Sequence, residues 1–295
     1  MMKLKLFLKN SARHAALNIL IISFLIGGCS SSITPTYLKE NIAQDIQDIC
    51  RKEYQLDVKA KLMGQTLWLY LPIEDIFIKS DKPEKYLERF KIEHNKEEFQ
   101  GKLLKLEYLI KAVPEKEKYQ EYKFNKTASE KINNVWKVLR RVIFSMERLK
   151  EGEPKFFCLV IADIKNGLEI KEIFYYLDIK KVSYEFISIG EYQHRAIQDS
   201  NISADIIGDK EGNHLRYGEL TLEDFIAKQI DHRIKLKFQK PEVDTNVDID
   251  KEIIKIVVHT IKTYELRDFT AVELNNLMNN SKIILNQGAV LTNPD

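Results

Sequence analysis

Apolar residues recur at intervals of three and four through residues 37–54, at Leu38, Ile42, Ile46, Ile49 and Cys50, which predicts an amphipathic helix. The period then changes to two. Leu56, Val58, Ala60 and Leu62 alternate with Asp57, Lys59 and Lys61, and "TLWLYLPI" alternates again after "MGQ", so a hairpin turning at Gly64 is expected. Leu67, Leu69 and Leu71 share one face of its second strand and Trp68 and Tyr70 the other, where large aromatics are expected to cover a core under a helix.

Residues 80–126 are crowded with Lys, Glu and Tyr and read as a longer, polar hairpin with Pro114 in its connection. This segment has little apolar material, so it is expected to be an insertion that projects from the domain and can be shortened. "TASEKINNVWKVLRRVIFSMERLK" returns to helical spacing, with Thr127 and Glu130 as a capping box and a stripe of Ile132, Val135, Trp136, Leu139, Val142, Ile143, Met146 and Leu149. "FFCLVIA" is apolar throughout, as in a central strand, and Asn166-Gly167 marks a hairpin turn into the next strand.

Helix, strand, turn, strand therefore occurs at 37–72 and again at 128–177, with a weaker echo as two short strands around Gly212. Short helices are expected in "DIKKVSYEF" and "SIGEYQHRAI", and another at 221–236 capped by Thr221. "DIDKEIIKIVVHTIKTYEL" reads as helix, although its β-branched residues leave strand open. Thr270 and Glu273 suggest the cap of a last short helix, and an edge strand and loose tail end the chain. The expected fold class is α+β: antiparallel hairpins packed with amphipathic helices, built on a pseudo-duplicated helix–hairpin unit. Residues 37–295 form the domain, with the polar hairpin inserted at about 80–126.

The first 28 residues follow a different rule. Lys3, Lys5, Lys9 and Arg13 precede the apolar run "AALNILIISFLI" at 15–26, and no acidic residue lies among them. Twelve residues are too few for a permanent span, which needs about 20. A basic start, a short apolar core and small residues at its end make an export signal. "Ile26-Gly27-Gly28-Cys29" resembles the lipobox of bacterial lipoprotein precursors, with Ile where Leu is commoner. That resemblance covers only this N-terminus. It implies that Cys29 receives a diacylglyceryl group through sulfur, that residues 1–28 are cleaved, and that the new amino group takes an acyl chain such as palmitate. It also implies a membrane partner through the lipid on Cys29. Ser30, rather than Asp, points to the outer membrane, facing the periplasm. Residues 29–36 would then be the lipidated cysteine and a polar tether.

Cleavage changes the charge balance. The whole chain has 46 basic and 44 acidic residues; losing the four basic residues of the signal leaves 42 against 44, a formal −2. This balance argues against a nucleic-acid partner, which needs a clustered basic surface. Cys50 and Cys158 remain. An oxidising compartment permits a bridge between them, but each occupies an apolar position and reads as a small buried hydrophobe.

Candidate chemistry is sparse. His94, His194, His214, His232 and His259 form no HExxH pattern. Glu191 and His194 have the i, i+3 spacing of carboxylate-bridged metal sites, yet no second such pair accompanies them. "DKEGN" at 209–213 places its glycine fourth where a calcium loop needs it sixth, so a turn is expected. Ser145 and Ser188 lack a nucleophile elbow, and Asp163 follows a strand where turn caps also occur. No catalytic, cofactor-binding or metal-binding residue is nominated, and no cofactor. The expected role is an envelope lipoprotein with a binding or assembly function and an envelope protein partner. The alternative is a periplasmic hydrolase acting on a cell-wall or envelope substrate, through a carboxylate pair that the sequence does not single out.

Overall fold

The computed structural model describes residues 41–145, 154–239 and 243–292. The proposed signal, Cys29 and the tether lie outside the described residues, as do Leu38, Met146 and Leu149. The described chain is mixed α and β, with seven helices and nine strands in two mostly antiparallel sheets. It divides into two compact units, one drawn from Met1–Pro83 and Glu121–Glu219, the other from Glu84–Gln120 and Leu220–Asp295.

In the first unit α1 (Ile42–Tyr54) leads into the hairpin β1 (Lys59–Met63) and β2 (Thr66–Ile73). Helix α2 (Lys126–Ser145) leads into the hairpin β5 (Phe156–Asp163) and β6 (Leu168–Tyr175). The two helix–hairpin units lie side by side in one sheet of order β1-β2-β5-β6-β7, where β7 is Ile197–Ile202. They meet at β2 and β5, which run parallel with Leu69 opposite Leu159. Between β6 and β7 come α3 (Tyr176–Ser183) and α4 (Ile189–Arg195).

The alternation in β2 sorts its side chains. Leu67, Leu69 and Leu71 join Phe157, Leu159 and Ile161 of β5 in a core closed by Ile42, Ile46 and Cys50 of α1 and Val135, Leu139 and Val142 of α2. Trp136 packs edge-on against Phe174 at 4.3 Å. Every residue of β5 is buried, as expected of a central strand covered on both faces. The two cysteines are free and buried. Cys50 belongs to the helix-side core, whereas Cys158 alternates with Phe157 and Leu159 and so points to the other face. The sheet separates them.

Two local details differ from expectation. Helix α2 begins at Lys126, and its cap is Asn125, whose side-chain oxygen accepts from the Thr127 N–H at 3.0 Å, so Thr127 and Glu130 are not a capping box. Asn125 caps the helix two residues earlier, by accepting from one of its first free N–H groups. The segment around Gly212 forms no third hairpin. After β7 the chain makes a 3-10 turn, Ala204–Ile206, and then runs irregularly over the sheet face opposite the helices. There Ile206 packs with Tyr70, Val160, Ala162 and Ile164.

The polar segment expected to project as a flap has a different setting. It forms two long strands, β3 (Phe77–Gln100) and β4 (Leu103–Phe124), and they turn at Gly101, with φ +61°, rather than at Pro114. Pro114 sits within β4, beyond Tyr108, where the pairing with β8 has ended, so its missing N–H removes no bond to that neighbour. The base of the hairpin belongs to the first unit, where Phe77 and Phe124 pack at 4.4 Å. Its remainder, residues 84–120, belongs to the second unit. In that stretch Leu104, Leu106, Tyr108 and Ile110 are buried along one face, which the surrounding lysines and glutamates mask in the sequence. Ion pairs such as Arg89–Glu115 and Lys118–Glu88 link the two strands where the apolar face ends.

The second unit has sheet order β3-β4-β8-β9, where β8 is Ala271–Asn276 and β9 is Ser281–Asn286. Here too two hairpins meet at a parallel joint, with Leu106 of β4 opposite Leu274 of β8. Thr221 caps α5 (Leu222–Gln239) as expected, its hydroxyl accepting from the Asp224 N–H at 3.1 Å. Asp248 caps α6 (Ile249–Thr263), whose β-branched residues Ile253, Val257, Val258 and Ile261 are buried. Thr270 and Glu273 cap no helix. Thr270 donates its N–H to the Lys102 carbonyl at 2.8 Å, and Glu273 lies in β8, paired with Lys282 at 2.7 Å. β9 is the expected edge strand, followed by α7 (Gln287–Thr292).

Candidate functional site

The most organised polar cluster among the described residues lies in the first unit, under the irregular segment that follows β7. Asp209 is its centre. One carboxylate oxygen accepts from the N–H groups of Glu211 at 3.1 Å and Gly212 at 2.9 Å, and from the Asn213 side chain at 3.4 Å. The other accepts from the His214 N–H at 3.0 Å and from His214 Nδ1 at 2.6 Å. On its far side, His214 Nε2 lies 3.0 Å from a Glu169 carboxylate oxygen on β6. An imidazole is thus held between two carboxylates, with side-chain exposures of only 11% for His214, 8% for Glu169 and 7% for Asp209.

The sheet supplies the floor. Tyr70 of β2 meets the His214 ring edge-on at 5.7 Å and donates its hydroxyl to the Asp209 carbonyl at 2.5 Å. Gly212 has φ +75°, and a Cβ there would come within 2.7 Å of the Tyr217 hydroxyl oxygen and 3.1 Å of Tyr70 Cγ. Only glycine fits both the left-handed backbone and the close approach. Trp68 is half-buried at the edge of this region. It donates Nε1–H to the Gly218 carbonyl at 2.8 Å and packs edge-on against Tyr217 at 5.7 Å. Trp68 and Tyr70 are therefore covered, as expected, but by an irregular segment rather than a helix.

Burial alone pushes the Asp209 carboxyl up, but hydrogen bonds from the His214 N–H and ring and from neighbouring N–H groups outweigh it and hold it well below the usual range. Burial likewise lowers His214, and its bonds to Asp209 and Glu169 outweigh that and raise it above the ordinary histidine value. The ring is thereby favoured as an imidazolium that donates from both nitrogens. A general base needs a ring nitrogen free to take a proton, and both of these are engaged. The "DKEGN" turn also has its chemistry reversed relative to a calcium loop. N–H donors converge on Asp209, where a cation would need oxygen ligands. The arrangement latches residues 209–214 to β6.

The other candidates resolve individually. Glu191 accepts from Arg195 Nε at 2.7 Å, one helical turn on, and Arg195 also binds Asp178 at 2.8 Å, so Glu191 belongs to an ion-pair network rather than a metal pair with His194. Among the described residues, no group of three or more His, Cys, Asp and Glu side chains is placed to hold a metal ion. Asp163 caps the β5–β6 turn, accepting from the Lys165 and Asn166 N–H groups, and ties it to the Ile76 N–H at 2.9 Å. Ser188 caps α4 through the Glu191 N–H at 3.0 Å. Ser145 is the last residue of α2.

Two carboxyl groups not singled out in the sequence are shifted far upward. Glu172 on β6 is pushed by burial to about 7, against the opposing hydrogen bonds of Gln198 and Trp136. Glu97 on β3 is raised to about 8 by burial and by the nearby Asp231 charge. Asp231 itself is bonded by Asn95 at 2.6 Å and paired with Lys235. Glu172 lies in a Lys- and Glu-bearing strand, and nothing in that local pattern marks its burial. No family model, curated protein or solved structure matches the chain.

Proposed function

We propose that the protein is a membrane-anchored envelope lipoprotein with a binding or assembly role. One observation carries this reading: Ile26-Gly27-Gly28-Cys29 closes a 12-residue apolar core behind a purely basic flank. The geometry of the first unit supports binding over catalysis. The imidazole cluster among its described residues has both ring nitrogens occupied by carboxylates. The same unit exposes large apolar side chains, including Phe186 at 78% and Tyr184 at 61%. The test is the intact mass of the mature protein and its partition into detergent. Acyl groups on Cys29, abolished with processing in Cys29→Ala, are the expected outcome, and a mature chain without acyl mass refutes it.

A periplasmic hydrolase is the second reading, favoured by Glu97, a carboxyl raised to about 8 beside Asp231. A carboxyl that keeps its proton at neutral pH can serve as a general acid. Under this reading Glu97→Gln abolishes function in cells without lowering the folded fraction. Under the binding reading it leaves function intact.

A further inference from the structure

The first unit carries an aromatic surface that no part of the latch uses. Phe144, near the end of α2, touches Tyr184 with ring centroids 5.6 Å apart, and Tyr184 touches Phe186 at 6.4 Å. Their exposures are 38%, 61% and 78%, and Leu177 and Ile189 add 42% and 38%. The turn presenting them is fixed. Glu185 sits at φ +61°, and the N–H groups of Tyr184, Glu185 and Phe186 return to the carbonyls of Lys180, Val182 and Lys181 at 2.8–3.2 Å. The rings are therefore held outward by backbone hydrogen bonds.

We propose that this surface is a second membrane contact, seating Tyr184 and Phe186 in the headgroup region of an anionic bilayer. The inference rests on the anchoring of Cys29. Aromatic rings with apolar bodies favour that interface, and flanking basic residues favour anionic lipid. On the last turn of α3, Lys180 is already bonded to the Tyr176 hydroxyl and lies over its ring, whereas Lys181 has no carboxylate partner among the described residues and supplies the flanking positive charge; Glu185 at the tip is the opposing charge. Arg141 is already committed to Glu53 at 2.7 Å.

That ion pair also sets the reach. Glu53 is near the C-terminal end of α1, and its partner Arg141 lies three residues before Phe144 on α2, so the patch lies near the end of α1 opposite the tether. Thirteen residues of α1 span about 20 Å. The tether residues 30–36 can extend to about 24 Å. The tether is thus long enough for the patch to meet the bilayer that holds the lipid, and tethering makes this second contact intramolecular.

The test places tryptophan at the tip. Phe186→Trp in the full mature chain is mixed with vesicles of three parts phosphatidylethanolamine to one part phosphatidylglycerol, with bromine on the acyl chains. The parent's signal from Trp68 and Trp136 is subtracted, and Tyr184→Trp repeats the reading one ring away. At least about twofold quenching by brominated lipid, with loss of iodide access, is expected at both positions. Equal iodide access with and without vesicles overturns the contact. So does shielding that grows with protein concentration alone, which marks self-association, or shielding that requires another envelope protein. Intact mass is read on the same sample. Absent acyl groups refute the anchoring, whereas exposed tryptophans on an acylated chain refute the patch alone.

Discussion

Glu172 is a buried titratable group and His214 a half-buried one, and they respond to pH in distinguishable ways. The folded-state value of His214 lies above its unfolded value of about 6.5, so its contribution is complete below about pH 6.5 and is lost as pH rises through the folded value. Asp209 has the opposite sign. Its folded value is depressed, so its contribution exists above about pH 3.9 and is lost as pH falls. The latch is strongest between these limits. His214→Asn is expected to cost about 2 kcal/mol near pH 5.5, because it leaves two largely covered carboxylates without their cation, with solvent screening part of the loss, and distinctly less at pH 9. Denaturant unfolding of parent and variant at both pH values checks this, and an equal loss at both refutes it. Glu172, raised to about 7, penalises the folded state progressively from about pH 4.3 to pH 7. Glu172→Gln, which mimics the protonated acid, is expected to gain stability relative to the parent across that interval, by up to ~4 kcal/mol. A pH-independent difference rules this out.

At the scale of elements, α2 and β5 carry the first unit's core. Leu139 is fully buried, in one cluster with Phe157, Leu159 and Ile161. Leu139→Ala is expected to cost ~2–5 kcal/mol in denaturant unfolding, and a loss below about 1 kcal/mol would place the stripe at the surface. These elements were legible because their signals are local and agree: a 3.6-residue stripe in α2, an unbroken apolar run in β5 and Asn-Gly between β5 and β6. The cap of α2 is ambiguous in the sequence because Asn125 and Thr127 both offer a side-chain oxygen, and the chain direction before the helix decides between them. β7 escaped notice because "IQDSNI" is an edge strand, buried only in part, whose pairing with β6 comes from elsewhere in the chain.

At the scale of the molecule, residues 84–120 decide whether the second unit has a sheet. Replacing them with a short Gly-Ser linker removes most of β3 and β4, including the fully buried Leu104, Leu106 and Tyr108. The expected result is loss of amide-exchange protection in α5, α6 and β8, since their apolar faces lose the strands they pack on. Retained protection there would restore the projecting hairpin that the composition suggests.

The proposed address of this protein rests on the sequence alone, because an export signal is read as a linear string of charge, apolar length and small residues. The α+β class was equally legible, since periods of 3.6 and 2 are local properties of amphipathic elements. What tertiary structure decided is which polar residues meet. Glu169 and His214 stand 45 positions apart, and each is unremarkable in its own segment; only the passage of the chain back over β6 joins them. The same holds for β4, whose buried face is masked by charged neighbours until β8 lies beside it. Burial and pairing across such separations depend on the packing of whole elements, which no window along the chain contains.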